Sequence, residues 1–219
     1  MPKASALVLS SGGLRSLVTA GLANREYRVA MLHLRDGRVP ALQAAEAFDR
    51  QVAHFKPVRS WSVDAPHIRQ MSLAPETAGV ITSTSSDPYA GLIPLRELQL
   101  LTIAAGFARQ VHASVIFWGV QIDPKQPDVL AKNIELVQIF NDLLVLLNGE
   151  NELALKTPLV GLEDQQVIEL GYQMGLPLNA SWSCQMAITQ PCMSCPACVR
   201  RIRAFRAAQL ADPLVAKTK

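Results

Sequence analysis

Ala6-Leu7-Val8-Leu9-Ser10-Ser11-Gly12-Gly13-Leu14-Arg15-Ser16-Leu17-Val18 is the stretch on which the reading of this chain turns. A run of strand character, Ala6–Ser10, meets a pair of glycines, and a segment of helical period follows from Arg15 to Ala23. Strand, glycine turn and helix in that order open a βαβ unit. Two glycines there let backbone N–H groups converge on an anion, the helix N-terminus adds a favourable dipole, and Ser11 and Ser16 add hydroxyls. The other reading of the same residues is a tight turn that needs glycine only for its backbone angles.

Outward from this turn, strand-length apolar runs alternate with helical segments, which predicts an α/β fold with a mostly parallel sheet flanked by helices. Strands are expected near Ala6–Ser10, Arg28–Leu34, Val58–Val63 and Ser114–Val120. Helices are expected at Arg15–Ala23, Pro40–Phe55, Leu95–Gln110, Val129–Leu147 and Glu163–Met174. Leu95–Gln110 is apolar on nearly every face, so it is expected to be buried against the sheet. Two irregular stretches are read as loops: Ala65–Gly91, broken by Pro66, Pro75 and Pro88 and polar over Thr82–Ser86, and Gln121–Asp128, with Pro124 and Pro127. The length of the first and the place of the second after the fourth strand put both near a candidate site.

The 219 residues are 49% apolar and only 5% aromatic, which suits a core of Leu, Val, Ile and Ala. They are divided here into an α/β nucleotide-binding domain, 1–180, and a small helical C-terminal subdomain, 181–219. The high apolar share is also compatible with a homodimer. A net charge of +3 makes no case for nucleic acid, and the run Arg200, Arg201, Arg203 and Arg206 reads as the solvated face of one helix. No apolar run is long enough to span a bilayer. Lys3 and the following apolar residues are read as the first strand and not as an export signal, because Gly12-Gly13 and Arg15 end the run early. The expectation is a cytoplasmic protein, in whose reducing surroundings cysteines bind metal more readily than they pair.

Cys184, Cys192, Cys195 and Cys198 have the spacing C-x7-C-x2-C-x2-C. Two-residue gaps let consecutive thiolates curl round one ion, and four sulfurs close a tetrahedron with no position left for water, so a structural Zn2+ is expected. An iron–sulfur cluster and four free thiols are the competing readings. Of the remaining residues, His33, His54, His67 and His112 form no ligand pair at helical spacing. His33 and Asp36 follow the second strand and could reach a site at its end. Arg96, opening a helix after a polar loop, is a candidate for anion or substrate contact. Asp123 and Asp128 are candidate magnesium ligands or, equally, solvated or capping loop acids.

The segment Ser11-Gly12-Gly13-Leu14-Arg15-Ser16 resembles the Ser-Gly-Gly-x-Asp-Ser signature of the PP-loop ATP pyrophosphatases. Within that superfamily, Trp182-Ser183-Cys184 and the run Pro191-Cys192 to Cys198-Val199-Arg200 resemble the 7-cyano-7-deazaguanine synthase family. Gly119-Val120, Pro127-Asp128, Pro158-Leu159 and Leu170-Gly171 extend the likeness along the chain. The resemblance implies ATP and a small-molecule carboxylate as substrates, with adenylation by ATP and magnesium, displacement of AMP by ammonia, and dehydration of the amide to a nitrile. It implies nucleotide contacts at Ser10, Ser11, Gly12, Gly13, Leu14, Ser16 and Leu34, catalytic roles for Arg15, Ser16 and Arg96, and metal ligation by the four cysteines.

The chain departs from that pattern at polar positions. The family's glycine-turn Asp is Arg15 here, which cannot coordinate magnesium. A family lysine aligns with Asp164, the Gly-Gln-Arg-His stretch is reduced to Gly37-Arg38-Val39-Pro40, and Gly-Arg-Asn survives as Leu95-Arg96-Glu97. Acid turned to base at one position and base to acid at another suggests that Arg15 and Asp164 meet as an ion pair; independent drift at two surface positions is the alternative. Two rivals to the enzyme stand beside it: a catalytically silent scaffold that binds a nucleotide, metabolite or protein, and a zinc-stabilised nucleic-acid binder.

Overall fold

A computed structural model of the chain describes residues 3–36, 41–71, 95–149, 152–186 and 189–215. At its centre lies β1 (Ser5–Leu9), whose side chains alternate between two buried faces. Ala6 and Val8 pack with Ala20 and Phe48 on one side, while Leu7 and Leu9 pack with Leu101, Ala104 and Phe140 on the other. A strand covered on both faces reads as continuously apolar, which is why this run is free of charge.

Along the chain, β1 is followed by α1 (Leu14–Glu26), β2 (Arg28–Arg35), α2 (Ala41–Phe55), β3 (Arg59–Asp64) and the single turn α3 (His67–Gln70). Then come α4 (Arg96–Gln110), β4 (Ala113–Trp118), α5 (Pro127–Asn148), β5 (Ala154–Lys156), α6 (Asp164–Gln173), a 3-10 turn (Leu178–Ala180) and α7 (Pro196–Ala207). All pairings are parallel, in the order β3-β2-β1-β4-β5. The order reverses between β1 and β4. In open parallel sheets that reversal leaves a crevice beyond the strands' C-terminal ends, and the glycine turn after β1 lies there.

The expected α/β class and its parallel sheet are what the chain adopts, with differences at particular elements. β5 is a three-residue strand with no periodicity to announce it. It is pinned by Asn141 of α5, whose Oδ1 accepts from Leu155 N at 2.7 Å and whose Nδ2 donates to Leu155 O at 3.2 Å, so a side-chain amide pairs the strand as a backbone would. α4 is not buried all round: Leu101, Ala104 and Ala108 face the sheet, whereas Thr102 and Gly106 are exposed. Residues 72–91 of the expected long loop lie outside the described residues, as does the reduced Gly37–Pro40 motif.

The C-terminal segment is not a detached appendage. Phe205 of α7, 2% exposed, packs with Leu17 of α1 and Ile168 of α6. Among the described residues, no helix is long and apolar enough to cross a membrane.

Candidate functional site

Gly12 sits at φ +74°, and a Cβ there would lie 2.2 Å from the carbonyl oxygen of Ala44 in α2. Only glycine permits both the left-handed angle and this approach. Gly13 is the N-cap of α1 with no side-chain cap, and the helix carries no acid in its first turn. The helix's own first turn therefore supplies no carboxylate to compete for the positive end of that dipole. Ser11 and Arg15 are exposed and Gly13 and Leu14 half-buried, so the outer side of the turn opens to solvent. On β4's side, a Cβ at Gly119 would meet Arg15's backbone at 3.3 Å, which brings the end of that strand against the first turn of α1.

The hydroxyls divide their labour. Ser16 Oγ donates to Gly13 O at 3.0 Å and closes the first turn. Ser11 Oγ accepts weakly from Gly13 N at 3.4 Å and remains on the exposed side. Ser10 is 1% exposed and its Oγ donates to Gln51 Oε1 at 3.0 Å, so its hydroxyl faces inward. Leu34 packs against the sheet's core at the end of β2. Gln51, fully buried on α2, gave no signal in the sequence because a glutamine in a helix is unremarkable until its partners are known.

At the end of β2, His33 is 3% exposed, donates from Nδ1 to Ser10 O at 2.9 Å and stacks on Phe48. Burial holds its pKa below the ordinary imidazole value, partly opposed by the bond to Ser10. One turn of chain later, Asp36 Oδ2 accepts from Arg96 at 3.0 Å (Nε) and 2.7 Å (Nη2), with both side chains largely buried. Arg96 is thus neither solvated nor unaccompanied: it joins β2 to the start of α4. Asp123 Oδ1 accepts from Lys125 N at 2.8 Å, and Asp128 is exposed in the first turn of α5. Asp164, at the start of α6, is held by Arg200 of α7 at 2.6 Å in place of the suggested Arg15.

The sulfur atoms of Cys184, Cys192, Cys195 and Cys198 all lie within 4.8 Å of one another. A tetrahedron of ~2.3 Å bonds has edges of about 3.8 Å, so the four donors fit a single ion with small adjustments. Backbone N–H groups point at the sulfurs: Met186 and Cys192 donate to Cys184, Cys195 to Cys192, and Cys198 to Cys195 at 3.2–3.5 Å. Cys195 is the N-cap of α7, and Pro196 follows at its first position. Bonds from the Ser194 side chain and backbone draw the Cys192 pKa down to about 6, whereas burial pushes Cys184 and Cys198 up. Burial alone thus favours the thiol at Cys184 and Cys198, and a cation's charge would be what holds all four as thiolates.

Behind this centre, Arg201 is buried: Nη1 donates to Ser181 Oγ at 2.8 Å and to Ser183 Oγ at 3.3 Å, and its guanidinium grips Asp212. The expected solvated basic face is therefore only half solvated. Arg203 and Arg206 are exposed, while Arg200 and Arg201 make internal ion pairs.

The chain is 28% identical to the 7-cyano-7-deazaguanine synthase of Chlorobium phaeobacteroides (strain BS1), covering 95% of both. It is 29% identical to the synthase of the same name from Sulfurovum sp. (strain NBC37-1), covering 95% of this chain and 96% of that one. Among solved structures, the U34-tRNA thiolase NcsA from Methanococcus maripaludis with its [4Fe-4S] cluster shares the fold, with a TM-score of 0.55 and 15% identity over 95% of this chain and 68% of the other. Residues 5–209 match the model of the family described as queuosine biosynthesis protein QueC, and the chain belongs to that family.

Proposed function

We propose that this chain is an ATP-dependent carbon–nitrogen ligase of the 7-cyano-7-deazaguanine synthase kind. The observation that carries the reading is the uncapped, acid-free N-terminus of α1 behind Gly12-Gly13 at the point where the strand order reverses. In this reading ATP's phosphates lie along Ser11–Ser16, with the exposed hydroxyl of Ser11 beside them and Ser16 holding the first turn in shape. A carboxylate oxygen of a deazapurine-like substrate attacks the α-phosphorus in line and pyrophosphate leaves. Arg15 supplies positive charge to that leaving group. Ammonia displaces AMP from the acyl adenylate to give the amide, and a second activation at the amide oxygen allows its dehydration to the nitrile. Arg96, oriented by Asp36, sits at the substrate side of the crevice.

The first turn of α1 offers hydroxyls and Arg15 but no carboxylate. Those residues do not fit a magnesium ion. The four cysteines do fit one Zn2+, which supplies cross-linking and no vacant coordination position. Their mutual distances favour a single ion over a cubane cluster, whose four thiolates each stand off a separate iron. A cytoplasmic location belongs to the same reading. So does a homodimer, for which α5 leaves Ile139, Leu146 and Leu147 exposed; sedimentation velocity decides that point.

A second reading, the silent scaffold, is favoured by Arg15 standing where the family has an acid. One experiment separates them. Calorimetry should detect ATP binding to the metal-loaded protein, and adding 7-carboxy-7-deazaguanine and ammonia should release AMP and pyrophosphate. Binding without release assigns the scaffold; neither binding nor release removes the nucleotide site altogether.

A further inference from the structure

Two features with no sequence link converge on one atom, the carbonyl oxygen of Gly12. Gln51 Nε2 donates to it at 3.0 Å, and Trp182 N donates to it at 3.0 Å. Gln51 does more than that. Its Nε2 also reaches Ala180 O at 3.2 Å, and its Oε1 accepts from Ser10 Oγ. The amide therefore bridges both sides of the glycine turn to the segment that leads into the cysteines, at a position with no solvent access. From there the path continues through protein bonds: Trp182 Nε1 donates to Cys184 O at 2.8 Å, and Arg201, one turn beyond Cys198, holds Ser181 and Ser183. A buried amide with every donor and acceptor engaged specifies one geometry, since losing any partner leaves a polar group unpaired in the interior.

We propose that Gln51 is a positioning residue that couples the cysteine centre to the anion-binding turn. Occupation of the four thiolates fixes Cys184, which fixes Trp182 and Ala180, and Gln51 transmits that register to the Gly12 and Gly13 peptides. The proposal rests on the reading of the turn as the nucleotide site. Coupling between two sites is reciprocal, so a metal that improves nucleotide binding is itself held more firmly when nucleotide is present. An indifferent scaffold would show neither effect.

The test uses the full chain loaded with Co2+, whose thiolate absorption reports the cysteine centre directly. Loss of that absorption to a chelator is timed with and without ATP, and ATP affinity is measured by calorimetry on loaded and metal-stripped protein. The native chain is expected to release Co2+ at least fivefold more slowly with saturating ATP, and to bind ATP at least fivefold more weakly when stripped, the low end of ordinary coupling. Gln51→Met, which keeps length but removes both hydrogen-bonding functions, is expected to bind each ligand separately while the two effects on each other vanish. Persistence of the native coupling in a folded Gln51→Met overturns the proposal. If that variant does not fold, Gln51→Glu, nearly isosteric, takes its place with the same criterion. Should the native protein bind no ATP, the proposed function fails, and the positioning role is judged on Co2+ release alone: an unchanged rate in the variant overturns it, a several-fold faster one supports it.

Discussion

Arg201 and Asp212 face each other in the interior as a two-pronged ion pair, Nε to Oδ2 at 2.8 Å and Nη2 to Oδ1 at 3.0 Å, with 6% and 5% of their side chains exposed. Asp212 also accepts from Leu214 N, so the pair fastens the chain after α7 to the segment before the cysteines. Removing one member leaves the other charged and buried. Arg201→Ala should lower the unfolding free energy by ~3–5 kcal/mol. Arg200→Ala, one residue away, breaks a pair that is about one-third exposed and should cost less than ~1 kcal/mol. Urea denaturation of the two variants checks the contrast; equal costs would contradict it.

The two glycines should respond oppositely to alanine. Gly12→Ala combines a left-handed angle with a 2.2 Å backbone approach, and should destabilise by at least ~2 kcal/mol or prevent folding. Gly13 has φ −80°, and its added Cβ would meet Ser11 Oγ at 3.2 Å and Trp182 O at 3.7 Å. Gly13→Ala should fold with a midpoint near native, while weakening ATP binding by narrowing the turn. Thermal melts and calorimetry on the pair separate fold from site.

Metal content is the third expectation. Elemental analysis of protein purified from cells should give one zinc per chain and no iron. Chelation or Cys195→Ser should lower the melting midpoint by on the order of 5–10 °C, because the centre closes the start of α7 and holds Cys184. Iron with sulfide in amounts near four per chain would replace the single ion by a cluster.

His33 gives a pH dependence with a definite sign. Its folded pKa lies below the unfolded value near 6.5, so the unfolded chain binds the proton first as pH falls. The stability tied to its neutral form is fully present above about 6.5, declines as pH drops below that value, and is exhausted once the folded imidazole also protonates. His33→Gln should flatten the stability profile in this interval. A profile of the native protein that is level from pH 7 to 5 would show that His33 carries no such linkage.

How much of this was legible in residues varied with how local each cause is. The turn at Ser11–Ser16 could be read because its requirement, glycine between a strand and a helix, is written in adjacent residues. The cysteine centre could be read for the same reason. β5 could not: its pairing depends on the Asn141 side chain arriving from α5, and three residues carry no period. Gln51 and Asp212 were invisible because each is defined by partners more than ten positions away. Arg96 and Asp36 were both singled out near the site, but their attachment to each other is a tertiary fact. Of the two readings of Asp164, the pair with Arg15 does not form, because exchange of charge between aligned positions does not reveal which cation stands nearest; that cation is Arg200, on a helix encoded far downstream.

Phe205 has a consequence for how the chain is made. Its ring closes the gap between Leu17 of α1 and Ile168 of α6, residues about 150 positions apart. Until α7 has left the ribosome, the Leu17 side of α1 lacks this cover, and the growing protein carries a greasy strip for as long as the intervening residues are being made. Completion of the body waits on α7, so a chain cut short before Phe205 would offer that strip to chaperones and proteases in place of a finished surface.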